Sequence, residues 1–141
     1  MSLYLDTSAL VKLLVDEPGS DIAHASLVEA SFVSTSAITH VEASAALTRM
    51  RKGTRLSGPE FETALQKLEE LWNPLYIHAV TDRLIHDASA AAKEHALRAY
   101  DALHLASLTA FVGRSLTLAC WDLELRSAAR ERGIALLPSE L

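Results

Sequence analysis

Five short, mainly apolar runs limit how this chain can fold: Leu3-Tyr4-Leu5, Phe32-Val33-Ser34, Leu75-Tyr76-Ile77, Leu116-Thr117-Leu118-Ala119 and Ile134-Ala135-Leu136. The first stops at Asp6, the pattern of a strand buried on both faces and ending in a polar loop, and the other four resemble it. Between them, apolar residues recur three and four apart over residues 8–15, 21–30, 39–52, 59–71, 82–96, 101–112 and 122–132. These stretches are rich in Ala, Leu, Glu and Arg, a composition that favours helix. Ser57 with Glu60 three residues later has the spacing of a capping box. Gly53, Gly113 and Gly133 each follow a helical stretch, where a left-handed closing residue is expected. Strands separated by one or two helices predict an α/β fold with a parallel sheet covered on both faces, because parallel strands need long, right-handed crossovers. Ligands in such sheets bind beyond the carboxyl ends of the strands.

The chain has 141 residues, the size of one domain, and half of them are hydrophobic, enough for one core. Thirteen Lys and Arg against eighteen Asp and Glu give a net charge of −5, which excludes a protein that binds nucleic acid through a general positive field. The single cysteine, Cys120, excludes an intrachain disulfide, and no Cys/His spacing suggests a zinc finger. There is no leader pattern, no apolar run of membrane-spanning length, no internal repeat and no linker, so a cytoplasmic domain without membrane contact is expected.

Most of the acids fall on faces that read as solvated, but four do not. Asp6 directly follows Leu3-Tyr4-Leu5, and Asp122 follows Leu118-Ala119-Cys120-Trp121, so both stand at the carboxyl ends of buried strands. Glu42 lies one turn after Ile38 and one turn before Ala45 and Ala46, on the apolar face of its helix. Asp101 opens a helix and shares a stripe with Leu105, Leu108 and Val112, so it is expected to point inward. Buried carboxylates without partners take up protons, and four that converge repel one another. A divalent cation resolves both difficulties, and oxygen donors without a Cys or His cluster favour Mg²⁺ or Mn²⁺ over Zn²⁺. Each acid alone also has a plainer reading: Asp6 as a turn residue, Asp101 and Asp122 as helix N-caps, Glu42 as a partner of Arg49 or Lys12.

Taken together, these residues resemble the PIN-domain ribonucleases, specifically VapC-type toxins of prokaryotic toxin–antitoxin pairs, over almost the whole chain. Leu5-Asp6-Thr7-Ser8-Ala9-Leu10 is similar to the opening motif of that family, an Asp followed two residues later by Ser or Thr. Thr39-His40-Val41-Glu42-Ala43 resembles its helical glutamate, Tyr100-Asp101-Ala102-Leu103-His104-Leu105-Ala106 its third motif, and Trp121-Asp122-Leu123-Glu124-Leu125 its fourth. In the fourth, Cys120 stands where the family often has a Thr two residues before the Asp, and Glu124 is placed to assist or substitute.

The resemblance implies a single PIN-like domain over residues 1–141 with strand order 3-2-1-4-5. It also implies endonucleolytic hydrolysis of RNA by water, with Mg²⁺ or Mn²⁺ held by Asp6, Glu42, Asp101 and Asp122, and Ser8 hydrogen-bonded within the site. Ser8 and Thr7 equally suit a capping role at the first helix. A cognate VapB-like antitoxin and a homodimer are implied as partners. The dimer could use an apolar helical surface around Leu10, Leu13, Leu14, Ile38 and Leu47, residues that core burial explains equally well.

Two basic clusters offer contacts for an RNA backbone, Arg49, Arg51, Lys52 and Arg55 after Glu42, and Arg126, Arg130 and Arg132 near the C-terminus; both also read as solvated helix ends. His40 and His104 flank the acids and are expected to support them rather than to ligate metal. Trp121 beside a strand end reads as packing or as a base-stacking group. The competing functional reading is a PIN-like module that binds RNA or a protein without cutting. A haloacid-dehalogenase-type phosphotransfer site is disfavoured, because it needs a second Asp where Ser8 stands.

Overall fold

The Leu3-Tyr4-Leu5 run is the middle of the sheet. In the computed structural model, which describes residues 1–141, β1 (Ser2–Leu5) lies between β2 (Phe32–Ser36) and β4 (Thr117–Ala119). The outer strands are β3 (Tyr76–His78) and β5 (Leu136–Leu137). Every pairing is parallel and the order is β3-β2-β1-β4-β5, as the family resemblance implies. Seven helices make the connections: α1 (Thr7–Leu14), α2 (Ser20–Glu29), α3 (Ile38–Lys52), α4 (Gly58–Trp72), α5 (Asp82–His95), α6 (Ala99–Ala110) and α7 (Leu123–Glu131).

Alternation of side chains along β1 divides the interior into two cores, one on each face of the sheet. Leu3 and Leu5 pack with Leu10 and Leu13 of α1, Leu47 of α3 and Leu68 of α4. Tyr4 faces the other way, among Leu84 of α5, Leu105 of α6, Leu118 of β4 and Leu125 of α7. Leu10, Leu13, Leu14 and Leu47 are therefore core residues, and the apolar surface they might have offered to a second copy does not exist.

Several boundaries differ from the sequence reading for local reasons. β2 runs on through Thr35 and Ser36, which are buried although polar; the Thr35 hydroxyl donates to the Leu5 carbonyl at 2.7 Å. α6 begins at Ala99, after an extended Arg98, and ends at Ala110. Asp101 thus lies within its first turn, while Val112 is exposed beyond its end and takes no part in the buried stripe of Leu105 and Leu108. The Ser57–Glu60 capping box forms as expected, and Gly113 and Gly133 take the left-handed conformation. Gly53 does not; its φ is −81°, and Thr54 carries the positive φ that closes α3.

Candidate active site

The carboxyl edge of β1 turns directly into α1 through Asp6. Its carboxylate accepts from the Ala9 N–H at 2.8 Å, making Asp6 the N-cap of α1, and from the Ser8 hydroxyl at 2.7 and 2.9 Å. Ser8 in turn accepts from the Trp121 N–H at 2.8 Å, so its hydroxyl ties the ends of β1 and β4 together and does not cap the helix. Asp6 is only 3 % exposed and its direct partners are neutral. Burial raises its pKa, and the nearby His104 and the hydrogen bonds to its carboxylate only partly oppose that.

Glu42 projects from the second turn of α3 toward the same edge. It pairs with neither Arg49 nor Lys12, and Lys12 reaches Glu17 at 2.8 Å. The Glu42 carboxylate accepts from the Thr7 hydroxyl at 2.7 Å and lies 2.8 Å from Nε2 of His104. A carboxylate only accepts, so Nε2 carries the proton, and Nδ1 meets the Tyr4 hydroxyl at 2.9 Å. Burial works to raise the Glu42 pKa, but the hydrogen bond and charge of His104 and the Thr7 hydroxyl outweigh it and hold the carboxyl below its ordinary value. The chain Tyr4–His104–Glu42 fixes the acid from inside the core, the supporting role expected for His104. His40 is elsewhere, on the surface against Glu69 and Trp72.

Asp101 and Asp122 share one cation that the sequence reading overlooked. Arg98 donates from Nε to Asp101 at 3.2 Å and from Nη2 to Asp122 at 3.1 Å, with Glu124 at 4.0 Å. Its only sequence signal is the spacing of three to Asp101. Burial and the charge of Asp122 raise the Asp101 pKa against the pull of Arg98. Asp122 is also the N-cap of α7, accepting from Leu125 N–H at 2.9 Å. Cys120 is buried, and its sulfur accepts from the Asp122 N–H at 3.3 Å. Burial and the charge of Asp6 push its thiol far up, so it braces the Asp122 backbone as a neutral group.

The structure therefore brings Asp6, Ser8, Glu42, Asp101 and Asp122 to one edge of the sheet, each turned to a protein donor. No three of the acids close around a common point. As a donor set they fit a hard divalent cation: all are carboxylate oxygens, and the most deeply buried makes no ion pair. Each guanidinium of the C-terminal basic cluster has acceptors within the protein, and only Arg126 is buried. Arg126 donates to the carbonyls of Cys120, Pro138 and Ser139, Arg130 reaches Ser139 and Glu140, and Arg132 reaches Glu94 and His95. Trp121 is partly buried and packs against the α1-side core, under Lys12 and against Gly19, where an added Cβ would lie 2.7 Å from the indole nitrogen.

Residues 3–110 match the family model of the PIN domain. Ribonuclease VapC45 of Mycobacterium tuberculosis (strain CDC 1551 / Oshkosh) is 33% identical to this chain over 139 residues, 99% of this chain and 96% of its own length. Ribonuclease VapC3 of Pyrobaculum aerophilum is 29% identical across 84% of this chain and 89% of its own. Among solved structures, FitAB bound to an IR36 DNA fragment matches with a TM-score of 0.70 at 23% identity, over 99% of this chain and 96% of that one. VapBC2 from Rickettsia felis, bound to a DNA fragment from its promoter, matches with a TM-score of 0.64 at 16% identity, over 96% and 97%. At these identities the two structures speak for the fold alone.

Proposed function

This chain belongs to the PIN-domain family, and from that premise we propose that it is a VapC-type endoribonuclease, the toxin of a toxin–antitoxin pair. In this reading Asp6, Glu42, Asp101 and Asp122 hold Mg²⁺ or Mn²⁺. The observation that carries the metal is Asp6, a buried carboxylate whose direct partners are neutral groups, beside three further acids. When bound there, a divalent cation supplies neutralisation of phosphate charge and an acidified water. Ser8 keeps Asp6 oriented, Thr7 and His104 hold Glu42 ionised and aimed, and Arg98 holds Asp101 and Asp122, which it would have to release for both to serve as ligands. Water is the nucleophile in this scheme, because the buried, neutral thiol of Cys120 is unsuited to attack.

A VapB-like antitoxin is the proposed protein partner, supported by family membership and by the complexes in which structural neighbours occur. No helix is long and apolar enough to cross a membrane. Family membership alone supports action in the cytoplasm and a homodimer. The Cys120 departure does not favour a non-cutting module, since the acid beside it is firmly positioned through its backbone.

The test is cleavage of RNA by the purified protein with Mn²⁺. Asp101→Asn is expected to lower the rate at least ~100-fold, beyond the 10–100-fold typical of residues that only support metal ligands. Cleavage that persists in excess chelator, or at full rate in this variant, overturns the assignment.

A further inference from the structure

Beside the acids the surface opens into a groove of about 210 Å³ lined by Thr7, Val41, Glu42, Ala45, Arg49 and Tyr100. Glu42 belongs to both groove and acid edge, while Thr7 and Tyr100 are chain neighbours of Asp6 and Asp101. The groove is therefore continuous with the reaction centre. Two of its features lie outside both cores. Tyr100 and Val41 are 57 % and 63 % exposed and belong to neither core. Arg49 is exposed and its guanidinium has no ion pair or hydrogen bond, whereas Arg98, Arg126, Arg130 and Arg132 all have acceptors.

We propose that this groove is a nucleotide subsite that takes one unpaired base next to the cleaved bond, stacked on Tyr100 beside Val41, with Arg49 on an adjacent phosphate. The proposal rests on the nuclease reading and names the side chains of this chain that would hold a base beside the cleaved bond. The volume lies below the ~300–1,000 Å³ of sites for drug-sized ligands, room for one ring system but not for a base pair. An exposed aromatic ring is a sequence-tolerant platform for a base, and unpaired bases are the usual targets of such rings in RNA recognition. Arg49 follows Glu42 by two turns of α3, about 10 Å along the axis at ~1.5 Å per residue, so it meets a neighbouring phosphate and not the one attacked. A free guanidinium at that distance supplies the local positive charge that the acidic chain as a whole lacks.

The experiment is steady-state cleavage of a short single-stranded oligoribonucleotide with Mn²⁺ by the wild type and by Tyr100→Ala, Tyr100→Phe and Arg49→Gln, all surface changes whose folding is checked by thermal melting. Tyr100→Ala should raise KM roughly 5- to 150-fold, the range that loss of one stacked base predicts, with kcat much less affected. Tyr100→Phe, which keeps the ring, should restore most of it. Arg49→Gln should lower the slope of log kcat/KM against log salt by about 0.7, the increment for one phosphate contact on a single strand. A matched duplex should be cut poorly. If the wild type cuts and the variants keep its KM and salt slope, or if duplex is cut as well as single strand, the subsite is overturned while the nuclease reading stands. A wild type that leaves RNA intact overturns both.

Discussion

At Asp6 folding and chemistry make opposite demands. Burial raises its pKa, and a group titrating higher in the folded than in the unfolded chain contributes its stability below the unfolded value, about 3.9 for Asp, and loses it as pH rises through the folded value. Ionised Asp6 thus weakens the metal-free fold at neutral pH. Asp6→Asn keeps an oxygen for Ser8 and for the Ala9 N–H, so it should melt a few degrees higher than wild type at pH 7 without metal, while cutting RNA at least ~100-fold more slowly. Melting curves from pH 7 down to pH 4 check the sign: the gap should close in acid, and a variant less stable than wild type at pH 7 would refute it. Glu42 has the opposite sign, because His104 and Thr7 hold its pKa down. Its contribution is present above the unfolded value and is lost as pH falls through the depressed folded one. His104→Gln should therefore lower kcat roughly 10–100-fold and move the acid limb of the pH–rate profile upward. An unmoved acid limb would mean that His104 only fills space.

At the scale of elements, all five strands and seven helices were legible from apolar periodicity, because buried strands and amphipathic helices repeat on different periods. What the pattern could not supply was the state of polar residues whose partners are distant in sequence. Thr35 lies beyond the run that reads as a strand, yet is interior because the fold brings the Leu5 carbonyl to its hydroxyl. The four acids stand where strand ends and helix periodicity put them, but the Arg98 that Asp101 and Asp122 share lies twenty-four residues from Asp122. Arg126 is the sharpest case. Charge grouped it with Arg130 and Arg132, although it sits three residues before the buried Ala129, on the inner side of α7. There it is 1 % exposed and joins the end of β4 to the C-terminal segment through the carbonyls of Cys120, Pro138 and Ser139. Arg126→Leu strands these acceptors and should cost about 3 kcal/mol, given ~1–3 kcal/mol for each buried group left unsatisfied. At ~2–4 °C per kcal/mol the melting temperature should fall by roughly 6–12 °C. Denaturant unfolding measures the loss, and a loss below ~1 kcal/mol would show that Arg126 is not the tie described.

For the whole molecule, the net charge of −5 is unevenly distributed, with four of eighteen acids at one sheet edge and Arg98 as the one guanidinium bridging two of them. A cation that binds only the folded chain stabilises it by mass action, about 2.7 kcal/mol at a hundredfold excess over its Kd. Mn²⁺ should therefore raise the melting temperature of the wild type, and chelator should remove the gain. Arg98 competes for the same oxygens from a position 72 % exposed to solvent, where screening keeps its ion pairs weak. Arg98→Gln should leave the metal-free melting temperature nearly unchanged and shift the Mn²⁺ titration midpoint roughly 2- to 5-fold lower, an effect that shrinks at high salt. Calorimetric titration reads the affinity without any RNA present. A midpoint that stays fixed or moves upward would mean that Arg98 does not stand in for the metal. If a lower midpoint is accompanied by slower cleavage at saturating Mn²⁺, the guanidinium displaced from Asp101 and Asp122 also acts on the substrate.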